Sequence, residues 1–288
     1  MEDRIKLFIG CDPNDCDLEQ MMVLEYSARK HSSLPIDIEW MRLSRAPSSF
    51  WFSDPAQGQG WRTEAWATPF SGFRWGVPAF CGYEGRAIYM DTDMLVLCDL
   101  AELWRVRMAP GKVLTGKGRK HSWRFCVAVW DCAAARAHLP PIERLRADPD
   151  SHRRMMEYFS QRPELIEPMG SDYNNIDGEK AALEQIRILH YSDMGTQFSH
   201  KYSFPRLQQE GRRHWFDGQV LPHPRADLAE LFDRYYHEAL GAGYALERYR
   251  APHAFGELPK ASQRDYAGNH RTRRRSFWSR LGLGRLMG

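Results

Sequence analysis

No stretch of this chain is apolar for the length that crosses a bilayer, and the opening Met-Glu-Asp-Arg-Ile-Lys lacks the apolar core of a secretory signal. Those absences lead to the expectation of a cytoplasmic protein. Cys-x-x-Cys pairs are missing as well. The six cysteines (Cys11, Cys16, Cys81, Cys98, Cys126, Cys132) are scattered, several within apolar runs, so neither a zinc knuckle nor a disulfide framework is expected. Internal repeats and extended low-complexity tracts are lacking too. Gly116-Lys117-Gly118-Arg119-Lys120-His121 has no Gly-Lys-Ser/Thr, which excludes a P-loop. It reads as a solvated surface loop, or else as a basic lip facing a second substrate.

What is present is ordinary for a folded domain: 43% hydrophobic and 27% charged residues over 288 positions, ample for a sizeable core. Net charge is only +3, yet Gly268–Gly288 holds six arginines and no acid, which leaves −3 on the rest. Ile5 to Gly10 reads as a strand ending in the turn-former Cys11-Asp12-Pro13-Asn14-Asp15. Asp17 to His31 has helical periodicity, and Ile36 to Trp40 alternates as a strand. A strand–helix–strand start is typical of α/β architecture. Arg45 to Trp66 reads as a long loop rich in Trp and Phe, and Thr68-Pro69 as the start of a helix running to about Cys81. Further on, the expected elements are a short helical turn at Asp99–Trp104 and strands at Lys112–Thr115 and Phe125–Trp130. Asp131 caps a helical stretch to Gln161 that Pro140-Pro141 breaks, Glu164 to Asp177 is a loop, Gln185 to His190 a strand, and Ala226 to Leu240 an amphipathic helix.

The most informative stretch is Ile88-Tyr89-Met90-Asp91-Thr92-Asp93-Met94-Leu95-Val96-Leu97. Two carboxylates one residue apart on extended backbone point the same way. Anions held side by side at a strand end need a counter-charge, and a divalent cation bound by oxygens supplies one that also neutralises a diphosphate. Taken alone, Asp-x-Asp is a short and common pattern. Its place between two apolar runs is what makes Asp91-Thr92-Asp93 a candidate metal and nucleotide site. His190 follows Ile188-Leu189 as Asp91 follows its own apolar run. If the two strands are neighbours, an imidazole joins the carboxylates at the ligand-binding edge of an open sheet, a mixed N/O set suited to Mn²⁺ or Mg²⁺. A histidine at a strand end is otherwise a satisfied structural residue.

Tyr-Met-Asp-Thr-Asp-Met-Leu-Val, Arg74 seventeen positions before Asp91, the later His-Tyr-Ser-Asp-Met, the opening Phe-Ile-Gly-Cys-Asp-Pro-Asn and the helix expected at Thr68–Cys81 together resemble the GT-A glycosyltransferases of the glycogenin and lipooligosaccharide galactosyltransferase type, sequence family 8. The resemblance covers about residues 4 to 205. It implies a GT-A (Rossmann-like) α/β domain over residues 1–250, with a mixed, mostly parallel sheet flanked by helices, and a basic tail over 251–288. It implies a retaining hexosyltransferase that moves a sugar from a UDP-sugar to a glycan or lipid-linked acceptor. Asp91, Asp93 and His190 would hold Mn²⁺ (or Mg²⁺). Gly10, Asp12 and Asn14 would sit beside the nucleoside, with Thr92 between the two carboxylates, and Arg74 near the sugar or diphosphate. Two departures stand out. No Asp-Gln pair appears between Asp148 and Glu167, which leaves Asp172, Asn174, Asn175 and Asp177 as polar candidates near the reacting carbon. The family's phosphate-binding Gly and Lys are replaced by Asp193-Met194-Gly195-Thr196-Gln197, so Thr196, Gln197 or Lys201 would have to serve.

The tail mixes its arginines with Phe277, Trp278, Leu281, Leu283, Leu286 and Met287, a composition suited to an anionic membrane surface and so to a peripheral place on its inner face. A disordered basic end is the plainer reading, and nucleic acid is not an expected partner, since no recognition motif accompanies the charge. Two rival functions share the Asp-x-Asp. One is a phosphohydrolase of the haloacid dehalogenase type with Asp91 as nucleophile, against which Leu95 stands where Thr or Val is usual. The other is a non-catalytic module that binds sugar nucleotides.

Overall fold

The computed structural model describes residues 4–119, 122–216 and 218–258. In chain order the strands are β1 (Ile5–Gly10), β2 (Ile36–Met41), β3 (Ser53–Asp54), β4 (Gln59–Gly60), β5 (Arg86–Asp91), β6 (Met94–Val96), β7 (Leu114–Arg119), β8 (Ser122–Arg124), β9 (Val127–Asp131), β10 (Ile166–Met169), β11 (Asn175–Ile176) and β12 (Ile188–His190). The main sheet runs β10-β7-β9-β5-β1-β2, with β8 on β7. β1 is parallel to β2 and β5, and β10 to β7, while β9 lies antiparallel between β5 and β7. This is a mixed α/β domain with a mostly parallel central sheet flanked by helices. β1 and β5 end side by side, Gly10 opposite Asp91, so Asp91 and the turn after it leave from the middle of the sheet's carboxyl edge.

The expected first strand, helix and second strand form where the periodicity puts them. Asp131 does cap the helix Cys132–Ala135, accepting from the Ala134 amide at 2.9 Å. Four expectations need correction. Arg45–Trp66 is a loop only in part. It carries the β3–β4 hairpin and buries Trp51, Trp61 and Trp66; Trp51 stacks on Trp61, and the remaining contacts among them and with Phe73 are tilted or edge-on. The helix at Thr68–Cys81 is instead a 3₁₀ turn at Ser71–Gly76 followed by one short helix, Val77–Phe80. Gly72 and Gly76 lie flat against the rings of Trp66 and Trp61, where an added Cβ would meet ring carbons at 2.4 and 2.9 Å. The aromatic packing outweighs the helical signal of the local sequence. Glu164–Asp177, read as a loop, supplies the edge strand β10, a 3₁₀ turn and β11.

The fourth correction concerns the glycine-lysine stretch. Gly116 to Arg119 continues β7, and Gly116 accepts the Phe125 ring, 2.8 Å from where a Cβ would sit. Lys117 is buried rather than solvated. Its ammonium donates to the Asn174 carbonyl (2.9 Å) and to both carboxylate oxygens of Glu179 (2.7 Å each).

Residues 251–258 pack onto the body: Phe255 and Leu258 join its largest hydrophobic cluster, and Asn14 exchanges two hydrogen bonds with Gly256. The arginine-rich tail lies outside the described residues. Among those described, no helix is long and apolar enough to cross a membrane.

Candidate functional site

After Asp91 the chain makes a tight Asp-Thr-Asp turn into β6. Thr92 points inward, 1% exposed, and its hydroxyl donates to the Gly10 carbonyl, which staples the turn to β1. Asp91 and Asp93 line one cleft of about 220 Å³. The imidazole arrives by a different route from the one expected. His190 does not end a neighbouring strand of the main sheet. It ends β12, which pairs antiparallel with β6 in a separate three-stranded sheet, placing His190 opposite Met94. The Tyr191 amide donates to the Asp93 carbonyl at 2.9 Å, and His190 Nε2 lies 3.3 Å from Asp93 Oδ1.

Each member of this trio is held from behind. Asp91 Oδ1 accepts from Arg74 Nη2 at 2.9 Å and from the Tyr89 hydroxyl. Asp93 Oδ2 accepts from Gln197 Nε2 at 3.0 Å, and Gln197 is itself held by Gln20 (3.1 Å). His190 Nδ1 faces Asn174 Oδ1 at 3.2 Å, and Asn174 is the residue whose carbonyl Lys117 anchors. Asp93 Oδ1 is buried, and the His190 ring is its neighbour at 3.3 Å. Cys126 completes the group: its sulfur, a carboxylate oxygen of Asp91 and a ring nitrogen of His190 all lie within 4.8 Å of one another.

The charges are mutually enforced. Burial pushes the Asp93 carboxyl up, although His190 opposes it. Burial pulls the His190 imidazole down, but the Asp93 carboxylate outweighs it and holds the ring well above the ordinary histidine value. The proton therefore sits on the imidazole, in an imidazolium–carboxylate pair. Burial likewise disfavours the Arg74 cation, but Asp91 beside it keeps it charged.

The same cleft is lined by Ser71, Arg74, Arg124, His152 and Trp215, and by Asp17 and Gln20 from the start of the first helix. Asp17 accepts from Trp215 Nε1 (3.3 Å) and lies 3.1 Å from His214 Nε2, which seats the 214–216 segment against that helix.

The structure brings Asp91, Asp93, His190, Arg74, Asn174 and Gln197 together. Thr92 and Gly10 stand beside them at the turn, and the other expected site residues do not line this cleft. Asp12 is buried behind the turn, accepting from the Asn14 and Cys16 amides, and burial followed by the neighbouring Asp17 pushes its carboxyl up to about 6. Asn14 is taken up by Gly256. Gly10 lies beneath Phe70, which leaves 3.3 Å for a Cβ. Asp172 pairs at the surface with Arg187 at 3.4 Å. Thr196 and Lys201 line a separate, apolar groove with Val220 and Leu221, and Lys201 pairs with Asp233. Sequence reasoning missed Cys126, Arg124, His152, Gln20 and Lys117. Cys126 had a latent signal: a strand beginning at Phe125 and lying antiparallel to β5 must start where β5 ends, and the Asp91 amide does donate to the Cys126 carbonyl at 3.0 Å.

No family model matches the chain. A 100-residue stretch is 32% identical to Protein CDI of Arabidopsis thaliana, covering 34% of this chain and 35% of that protein. Among solved structures, the glycosyltransferase GlyE of Streptococcus pneumoniae TIGR4 aligns with a TM-score of 0.53 and 13% identity over 88% of this chain and 66% of its own. The galactosyltransferase LgtC, solved with donor and acceptor sugar analogs, aligns at 0.50 and 10% identity over 81% of this chain and 96% of its own. The chain thus spans just under two thirds of GlyE and about a third of the Arabidopsis protein. The fold neighbours are glycosyltransferases, and the likeness is one of fold.

Proposed function

We propose that the chain is a metal-dependent, retaining glycosyltransferase of the family 8 kind, moving a hexose from a UDP-sugar to a glycan or lipid-linked acceptor. The single observation that carries this reading is the convergence of Asp91, Asp93 and His190 in one cleft at the carboxyl edge of a GT-A sheet. The donor set fits a hard divalent cation such as Mn²⁺ or Mg²⁺. It offers the carboxylates of Asp91 and Asp93 and the imidazole of His190, with the Cys126 sulfur beside Asp91 and His190 as a softer fourth neighbour. Asp91, Asp93 and His190 would hold the ion, which when bound supplies positive charge to the diphosphate and eases departure of UDP.

The protein's own groups do the rest. Asn174 and Gln197 fix the ring of His190 and the carboxylate of Asp93, so the ligand atoms need little rearrangement to bind. Arg74, locked between the Ser71 carbonyl (2.7 Å) and Asp91, presents a permanent cation to an anionic substrate. The basic tail is proposed to bring the enzyme to an anionic membrane bearing the acceptor. The fold neighbours favour a transferase over the phosphohydrolase reading, and the same cleft in a non-catalytic module would bind nucleotide without turnover. The test is UDP release from a panel of UDP-sugars. Release that needs Mn²⁺ and disappears in Asp93→Ala supports the proposal. Trapping of an aspartyl phosphate on Asp91 would replace it with the phosphohydrolase.

A further inference from the structure

His152 stands in the first turn of the helix Ser151–Ser160, within the stretch where the sequence offers no Asp-Gln pair, and its ring lines the cleft beside Ser71 and Arg74. Its Nδ1 lies 2.9 Å from Trp75 Nε1. An indole nitrogen can only donate, so Nδ1 must accept, and a neutral ring then carries its one proton on Nε2. Trp75 does not move to suit: it is 0% exposed and stacked at 5.5 Å on Phe159 of the same helix. The tautomer is therefore fixed by the core. Burial, and after it the charge of Arg74, pull the imidazole down to about 3, which keeps the ring neutral across the physiological range.

Nε2 makes no hydrogen bond among the described residues. The ring is unable to serve as a base at Nδ1 and is a fixed donor at Nε2. With Arg74 and Arg124 it adds donors to a cleft that the acceptors Asp91 and Asp93 also line. We propose that His152 is a specificity-determining residue whose Nε2–H donates to an oxygen of the bound sugar nucleotide. This rests on the function proposed above. The oxygen belongs either to a sugar hydroxyl or to the diphosphate, and the two are separable by experiment.

The test combines nitrogen-15 NMR of the imidazoles with calorimetric titration of UDP and of a set of UDP-hexoses in the presence of Mn²⁺. His152 is assigned by its loss in His152→Phe. The expected spectrum has an unprotonated Nδ1 and a protonated Nε2 that do not titrate between about pH 5 and 8. His152→Phe is expected to weaken binding of the preferred UDP-hexose about tenfold, the scale of one lost hydrogen bond. His152→Gln, which keeps an N–H at similar reach, should recover most of it. Unchanged UDP affinity in His152→Phe assigns the partner to the sugar, and an equal loss for UDP assigns it to the diphosphate. A proton on Nδ1, seen in the wild-type spectrum whether or not the variants fold, overturns the proposal. So does a His152→Phe protein that binds UDP-hexoses as wild type does, an outcome that leaves the glycosyltransferase reading intact. A wild-type protein that binds no UDP-hexose removes both.

Discussion

Replacing Lys117 by methionine removes the ammonium that joins three parts of the molecule while keeping the side chain's length. In the wild type it satisfies the carbonyl of Asn174, a residue 0% exposed, and both oxygens of Glu179. The two losses are unequal. Glu179 is 40% exposed and keeps the Asn175 side-chain amide and the Ile176 backbone amide, each at 3.2 Å, so its share is screened and worth under about 1 kcal/mol. The Asn174 carbonyl is left buried without that donor, which costs about 1–3 kcal/mol. The sum is about 1–4 kcal/mol, or roughly 2–16 °C in melting temperature for a chain of this size. Because Asn174 Oδ1 orients His190, Mn²⁺ affinity should fall as well, by about tenfold, the usual effect of disturbing a residue behind a ligand. Glu179→Gln, which spares the carbonyl contact, should fall well short of Lys117→Met in both readouts. Differential scanning fluorimetry and a Mn²⁺ titration followed by electron paramagnetic resonance measure the two effects. A Lys117→Met protein that melts and binds metal as wild type does would refute the reasoning.

Other consequences follow from the same packing. Arg206 holds Glu19, 1% exposed, through Nε–Oε1 at 2.6 Å and Nη2–Oε2 at 3.0 Å, so Arg206→Met should destabilise by about 3–5 kcal/mol in urea unfolding. Adding Glu19→Leu should return much of that, since no buried anion then lacks its partner; additive losses would argue against the pair. The hydrogen bond from Arg250, and with it the charge of Arg206, lowers the Glu210 carboxyl from 4.5 to about 2. A carboxyl with a depressed folded value stabilises above its unfolded value and loses that contribution as pH falls through the folded one. The gap in urea midpoint between wild type and Glu210→Gln should therefore be constant near neutrality and close between about pH 4.5 and 2. A gap that widens on acidification would contradict it.

How much was legible in the sequence depended on whether the deciding contact was local. The apolar run Ile88-Tyr89-Met90 marks the strand that ends at Asp91, and the two carboxylates do line one cleft, although Asp93 reaches it through a turn rather than by strand alternation. The first strand, helix and second strand also announce themselves by period. His190 was found for an incomplete reason: the apolar run before it is a strand, but it lies beside β6 rather than in the main sheet. Lys117 was misread because a lysine between glycines looks solvated, and the carboxylate that receives it lies 62 residues away. The tryptophans of Arg45–Trp66 looked like loop residues because the surfaces they cover, Gly72 and Gly76, belong to another segment that reads as an ordinary helix. His152 could not have been read at all, since its role depends on Trp75, 77 residues earlier, accepting no hydrogen bond of its own.

The central claim is that Asp91, Asp93 and His190 act together on one cation that in turn holds the substrate. Calorimetric titration of the preferred UDP-sugar, with Mn²⁺ and then with the metal chelated, tests it most directly in wild type, Asp93→Asn and His190→Ala. The account predicts tight binding only in wild type with Mn²⁺, and a loss of at least about tenfold on chelation or in either variant. Equal affinity with and without metal, or a His190→Ala protein that keeps its Mn²⁺ dependence unchanged, would contradict it.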